Sequence, residues 1–311
     1  MKLTNMKKRM LSIVLSGAMA VSTAVSAGSF SAFAVTQCVA YSGSNVNAQN
    51  YAQWSDTVKS YLTVCDNGNY MRVQAGAIEG KLLVEYYSSD FEPLSTKLID
   101  NELPIFGAFY DSGNNYYVLS GQENPKQNDS LEVFRITKYD KNWNKIKSCS
   151  LYGANTTVPF DAGSARMTHS GDHLLVRTCH EMYKSSDGNN HQSNVTIEVD
   201  MPSMTITDSY TGIMNVEYGY VSHSFNQFIK TDGTHIVALD HGDAHPRSAV
   251  LVKYNSDFTT GKFFPSYSQK GGNIDVVTYP EYTSGHYNYT GAAIGGFDVS
   301  SSSYLVAQRT V

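Results

Sequence analysis

One short element recurs four times in this chain, and that recurrence limits the fold more than any single residue does. It consists of an apolar strand, a polar turn, and a large apolar residue that opens the next strand. The copies are Leu83-Val84-Glu85-Tyr86-Tyr87 leading to Phe91, and Ile136-Thr137-Lys138-Tyr139 leading to Trp143. They continue with Ile197-Glu198-Val199-Asp200 leading to Met204, and Val252-Lys253-Tyr254 leading to Phe258. The closing residues are spaced 52, 61 and 54 apart. A second element precedes three of these hairpins: an apolar strand, a glycine turn and another apolar strand, with Gly113, Gly171 and Gly233 at the turns. Glycine supplies the positive φ that tight hairpin turns need.

Joined, the two elements make a unit of four antiparallel strands, which cannot cover both of its faces alone and has to stack on similar units. The expected fold is therefore all-β, a β-propeller of four-stranded blades, with a β-sandwich as the alternative. Complete units are expected at 104–153, 160–212 and 221–269. Residues 82–98 supply only a closing hairpin and residues 292–311 only an opening one, so a half-blade is expected at each end. These halves either pair into one composite blade or belong to a truncated chain. The strand that stops at Val311 with no turn after it favours truncation.

The first 34 residues read as an export signal. Lys2, Lys7, Lys8 and Arg9 precede an apolar stretch, and Ala32 and Ala34 form an A-x-A-like cleavage site. Residues 35–69 are then a lead-in, and 70–311 the propeller. Tyr51, Trp54, Val58 and Leu62 fit one short helix or an extended segment equally well. Losing residues 1–34 reduces 23 basic residues to 19 against 28 acidic ones. A chain this acidic, with no basic run, argues against nucleic acid and against anionic membrane surfaces. An exported chain permits disulfides. Cys149 and Cys179 read as buried thiols, and a Cys38–Cys65 bridge stays open.

Equivalent loops of a propeller emerge on one face, so residues in the same repeat register converge. The residue ending the second strand is read as Gln122, His180 and His241 in the three units. With Asp240 and Arg247 these form the expected ligand-binding set. Asp240, His241, Asp243 and His245 make the densest cluster of potential metal ligands or acid–base groups, though their spacing matches no metal motif. Those side chains also suit plain turn-capping roles. His223 and Arg166 complete the catalytic candidates with His180 and His241. Ser222 and His223 are adjacent on a strand and point to opposite faces, so they make a poor nucleophile–base pair. No cofactor is expected, and a divalent metal is the one exception that the Asp/His cluster leaves open. Tyr279, Tyr282, Tyr287 and Tyr289 suit either sugar stacking or loop packing.

The segments Tyr220-Val221-Ser222-His223-Ser224-Phe225-Asn226-Gln227-Phe228 and Asp240-His241-Gly242-Asp243-Ala244, with Arg247, resemble a group of secreted β-repeat proteins of Gram-positive anaerobic bacteria. The resemblance covers most of residues 70–311. It implies further strands beyond the end of this chain and brings no established activity. A looser, fold-level similarity is to bacterial arylsulfotransferases, which are propellers with functional histidines near the channel. The expected role is an extracellular binding or scaffold propeller for a glycan, a cell-wall component or a protein. The alternative is a propeller enzyme, a transferase, lyase or hydrolase with a histidine-lined site.

Overall fold

The computed structural model describes residues 57–212, 226–233, 235–242, 248–255, 273–278 and 293–309. All regular structure among them is β. The first sheet runs β1 (Ser60–Val64), β2 (Tyr70–Ile78), β3 (Lys81–Tyr87) and β4 (Pro93–Asp100) in sequential antiparallel order. The second is β5 (Ile105–Asp111), β6 (Tyr116–Gly121), β7 (Glu132–Tyr139) and β8 (Lys145–Tyr152). The third is β10 (Arg166–Ser170), β11 (His173–Lys184), β12 (Asn190–Asp200) and β13 (Thr205–Tyr210), with β9 (Thr156–Pro159) added along the far end of β11. The fourth is β14 (Phe228–Thr231), β15 (His235–Gly242), β16 (Ser248–Asn255) and β17 (Asn273–Thr278), and β18 (Ala293–Val299) pairs with β19 (Tyr304–Arg309). Residues 62–99 form one compact unit, and the remaining described residues form a second.

Within the second unit the sheets stack face to face in chain order. Tyr117, Leu119, Phe134 and Ile136 of the second sheet pack with Leu174, Val176, Val195 and Ile197 of the third. Leu175 packs with Ile236, Ala238 and Val252 of the fourth. Val237 and Leu239 pack in turn with Ile294 and Phe297 of the fifth. The first strands are neighbours too, β5 beside β10, β10 beside β14 and β14 beside β18. A middle strand is therefore covered on both faces. That is why β6 and the run from Leu174 to His180 are buried throughout, without the alternation of a one-sided sheet. These are blades, and the fold class is a β-propeller.

The repeat is visible in the backbone as well. The closing residues Phe91, Trp143 and Met204 all take left-handed φ, of 64°, 62° and 51°. The turn glycines Gly113, Gly171 and Gly233 do the same at 88°, 54° and 90°.

Two expectations need correction. The N-terminal blade is complete, not half: β1 and β2 fall in segments read as lead-in or as the edge of the domain. Its marker was present in the sequence, because Gly68, at φ 80°, occupies the same turn before Tyr70. Leu62 lies on β1 and not in a helix, while Tyr51 and Trp54 fall outside the described residues. With β1 and β2 in place, the N-terminal hairpin pairs within its own four-stranded sheet.

The second correction concerns register. Counted from the turn glycines, His180 aligns with Gln122 and Gly242, whereas His241 aligns with Gly121 and Cys179. Side chains alternate along a strand. His180 shares a face with Leu174 and Val176, toward the second sheet, and His241 shares one with Val237 and Leu239, toward the fifth. The two imidazoles therefore lie on opposite faces of their blades.

Candidate functional site

His180 is fully buried. One ring nitrogen, Nδ1, is 2.6 Å from Thr156 Oγ1 on β9, and the other, Nε2, is 2.8 Å from Ser193 Oγ on β12. Burial pushes the imidazole down to about 3, so it stays neutral. Its ring fastens β9 to the blade and is not presented to solvent. A group whose folded pKa lies below its unfolded value stabilises the fold above the unfolded pKa, near 6.5, and that contribution is lost as pH falls toward the folded value. We expect wild type to lose about 1.4 kcal/mol per pH unit more than His180→Gln between roughly pH 6 and 4, read from urea midpoints. An imidazole that titrates near 6.5 by NMR would contradict this.

Beside it, the seam between the third and fourth sheets is polar. Arg177 and Asp240 are both fully buried and face each other across it. Arg177 Nε donates to Asp240 Oδ1 at 2.9 Å and Oδ2 at 3.1 Å, and its Nη2 also bonds Oδ2. Arg177 Nη1 donates to Thr196 Oγ1 at 3.1 Å, and Asn194 Nδ2 reaches Asp240 Oδ2 at 3.4 Å. Gln227 Nε2 donates to Asn194 Oδ1 at 3.2 Å, and Gln227 Oε1 accepts from the Ser164 amide at 2.8 Å. Ser164 Oγ donates to Asn226 Oδ1 at 3.1 Å, and Asn226 Nδ2 donates to the Ile294 carbonyl of β18 at 2.7 Å. One network thus ties three sheets together. Gly163 is required where it passes, since a Cβ there would lie 2.4 Å from Cys179 Cβ.

The seam reaches a half-buried rim on the loop before β10 and the ends of β11 and β12. Gln192 Nε2 donates to Asp161 Oδ2 at 2.9 Å, and Gln192 pairs with Glu181 across the strands. Burial, and then the Asp161 charge, raise the Glu181 carboxyl above the ordinary range. Two carboxyls and an amide in one place offer hydrogen-bond acceptors to a hydroxyl-rich ligand. They also place a carboxyl whose pKa is raised beside a second acidic residue.

The sequence-chosen residues are therefore dispersed. Asp240 is bound by Arg177 and does not offer itself to a ligand, and His241 is buried. Gln122 is half-buried and donates its amide to the Glu132 carbonyl at 2.6 Å. Arg166 lies with its guanidinium 5.1 Å from the Phe228 ring and donates to the Ala165 carbonyl. His223, Asp243, His245 and Arg247 fall outside the described residues, as do Cys38 and the four loop tyrosines. Among the described residues no group of three or more His, Cys, Asp or Glu side chains gathers at metal-binding distance, and no helix is long and apolar enough to cross a membrane. Burial pushes the Cys149 thiol up to about 12, and Cys179 is fully buried in another sheet.

Sequentially ordered four-stranded sheets, stacked through apolar and polar seams, define a β-propeller. No protein-family model matches the chain, and no curated protein does. Among solved structures it is similar to a GH43 alpha-L-arabinofuranosidase from Clostridium thermocellum, at 13% identity over 68% of this chain and 74% of that one, with a TM-score of 0.38. It is similar to an exo-beta-1,3-galactanase from Phanerochaete chrysosporium at 13% identity, covering 80% and 53%, with a TM-score of 0.37. A third is Semaphorin 1a from Drosophila, extracellular domains 1-2, at 8% identity, covering 73% and 48%, with a TM-score of 0.41. The chain spans about half the length of the last two. At these scores none of the likenesses bears on a site or a substrate.

Proposed function

We propose that this chain is an exported binding propeller that takes a hydroxyl-rich ligand, of the glycan class, at the rim formed by Asp161, Glu181 and Gln192. The observation that carries the reading is the contrast along one seam. The polar groups below the rim are committed to each other, while the rim is half-exposed and rich in acceptors. An acidic chain suits a neutral polyhydroxyl ligand better than a polyanion. The test is isothermal titration of the full chain with soluble plant and cell-wall oligosaccharides, for wild type and for Asp161→Ala with Glu181→Ala. The double variant should melt within about 1 °C of wild type and lose binding tenfold or more, about 1.4 kcal/mol. Equal binding by both would end the rim assignment.

The raised Glu181 carboxyl favours a second reading, a hydrolase or lyase with Glu181 as acid and Asp161 as base. Glu181→Gln separates the two, because a binding module keeps its affinity whereas an enzyme loses turnover. Export is tested by the mature N-terminus in culture medium, expected at Val35.

A further inference from the structure

The closing position of the hairpins between third and fourth strands is filled by a large apolar residue in left-handed backbone, a conformation that favours Gly or Asn and costs a bulky residue on the order of 1 kcal/mol. In the second and third sheets burial offsets that cost, since Trp143 is 4% exposed and Met204 3%. In the first sheet it does not: Phe91 has the same φ and is 61% exposed. Its ring lies flat on Tyr70, with centroids 4.5 Å apart and planes 7° from parallel. One face is thus held and the other is turned outward.

The turn that carries the ring is polar. Asp90 and Glu92 flank Phe91 in the chain and are exposed, and their amides donate to Ser88 Oγ at 3.2 and 3.1 Å, which shapes the turn. Tyr87 pairs with Tyr70 across the strands. Its hydroxyl donates to Glu85 Oε1 at 2.9 Å and accepts from Arg72 Nη2 at 3.0 Å. Arg72 in turn holds Glu85 through Nε at 2.6 Å. Leu62, Val64, Leu94 and Leu98 on β1 and β4 are exposed as well, but among these residues Phe91 alone presents a flat ring fixed from behind, with an exposed acid on either side of it in the chain. It matches the apolar C–H face of one sugar ring whose hydroxyls point sideways to acceptors.

We propose that the Phe91–Tyr70 stack is a platform for the face of a pyranose ring, with Asp90 and Glu92 accepting from its hydroxyls. The platform uses none of the rim residues. The test titrates the full chain with cello-, xylo-, manno- and chito-oligosaccharides and compares wild type, Phe91→Gly and Phe91→Trp. Phe91→Gly suits the backbone, so it should fold and melt at or above the wild-type temperature while losing affinity about tenfold or more. Phe91→Trp should bind as well as wild type or better. Loss of binding in Phe91→Gly, with binding kept when Asp161 and Glu181 are both alanine, assigns the sugar to the platform. The reverse pattern overturns the platform and leaves the rim, and no binding by wild type overturns both. A Phe91→Gly chain that changes oligomeric state instead would show that a second copy covers the ring, and would also overturn the proposal.

Discussion

Asp240→Ala should destabilise the protein by about 3–5 kcal/mol, the usual cost of leaving a buried guanidinium without its acid. Arg177 cannot turn to water, because neither partner has exposed side-chain surface. Its Nη1 also donates to Thr196 Oγ1, a neutral acceptor that cannot replace the carboxylate's charge. Asp240→Asn keeps an oxygen for Nε and should cost less, and replacing Arg177 and Asp240 together with Met and Leu should recover most of the loss. Denaturant midpoints for wild type, Arg177→Met, Asp240→Leu and the double variant make a double-mutant cycle. An Asp240→Ala chain within about 1 kcal/mol of wild type would mean that the seam admits water and that the pair does not hold the third and fourth sheets together.

Phe160→Ala should cost a similar amount, about 3–5 kcal/mol, for an aromatic removed from a packed core. Phe160 lies in the loop after β9 and sends its ring onto the second sheet, edge to face with Phe134 at 5.4 Å. It fits only because two glycines lie beneath it. A Cβ at Gly107 would come within 2.5 Å of Phe160 Cζ, and one at Gly121 within 2.8 Å of Phe160 Cε2. Gly107→Ala should therefore destabilise alone, and far less in a Phe160→Leu background, because the shorter side chain vacates that space; at Gly121 a Cβ would still meet Pro159 Cγ at 2.9 Å. Additive losses would show that the glycine serves the strand and not the ring.

The repeat was legible because its signals are local: a glycine turn, an apolar run and a large residue after a polar turn. The first blade was missed in part because Gly68 stands alone, without the long apolar second strand that marks the others. Its β2 reads Tyr70-Met71-Arg72-Val73-Gln74, with two polar residues between apolar ones. Strand β9 is four residues long and carries no periodic pattern. Strand ends put His180 and His241 in one register, whereas the turn glycines put them one position apart, and one position reverses the face. Arg177 held the clearest unread signal. A guanidinium inside Leu174-Leu175-Val176-Arg177-Thr178-Cys179 must find an acid, and Asp240 was read as a ligand instead of that partner. Nothing local joins the two, since they are 63 residues apart.

That separation is about one repeat, and it recurs. Ser164 meets Gln227 across the same 63 positions, and Asn226 meets Ile294 across 68. The links Arg177–Asp240, Ser164–Gln227 and Asn226–Ile294 thus close chain loops of nearly the same length, the other links between sheets close shorter ones, of 33 for Gln227–Asn194 and 46 for Asn194–Asp240, and none requires more distant parts of the chain to meet first. Loop-closure entropy depends on that length, so neighbouring seams face a similar barrier and can form in any order from any starting blade. A whole blade added or deleted by recombination would leave each surviving loop unchanged, so a gene of this kind can change blade number while keeping the contacts that weld each pair.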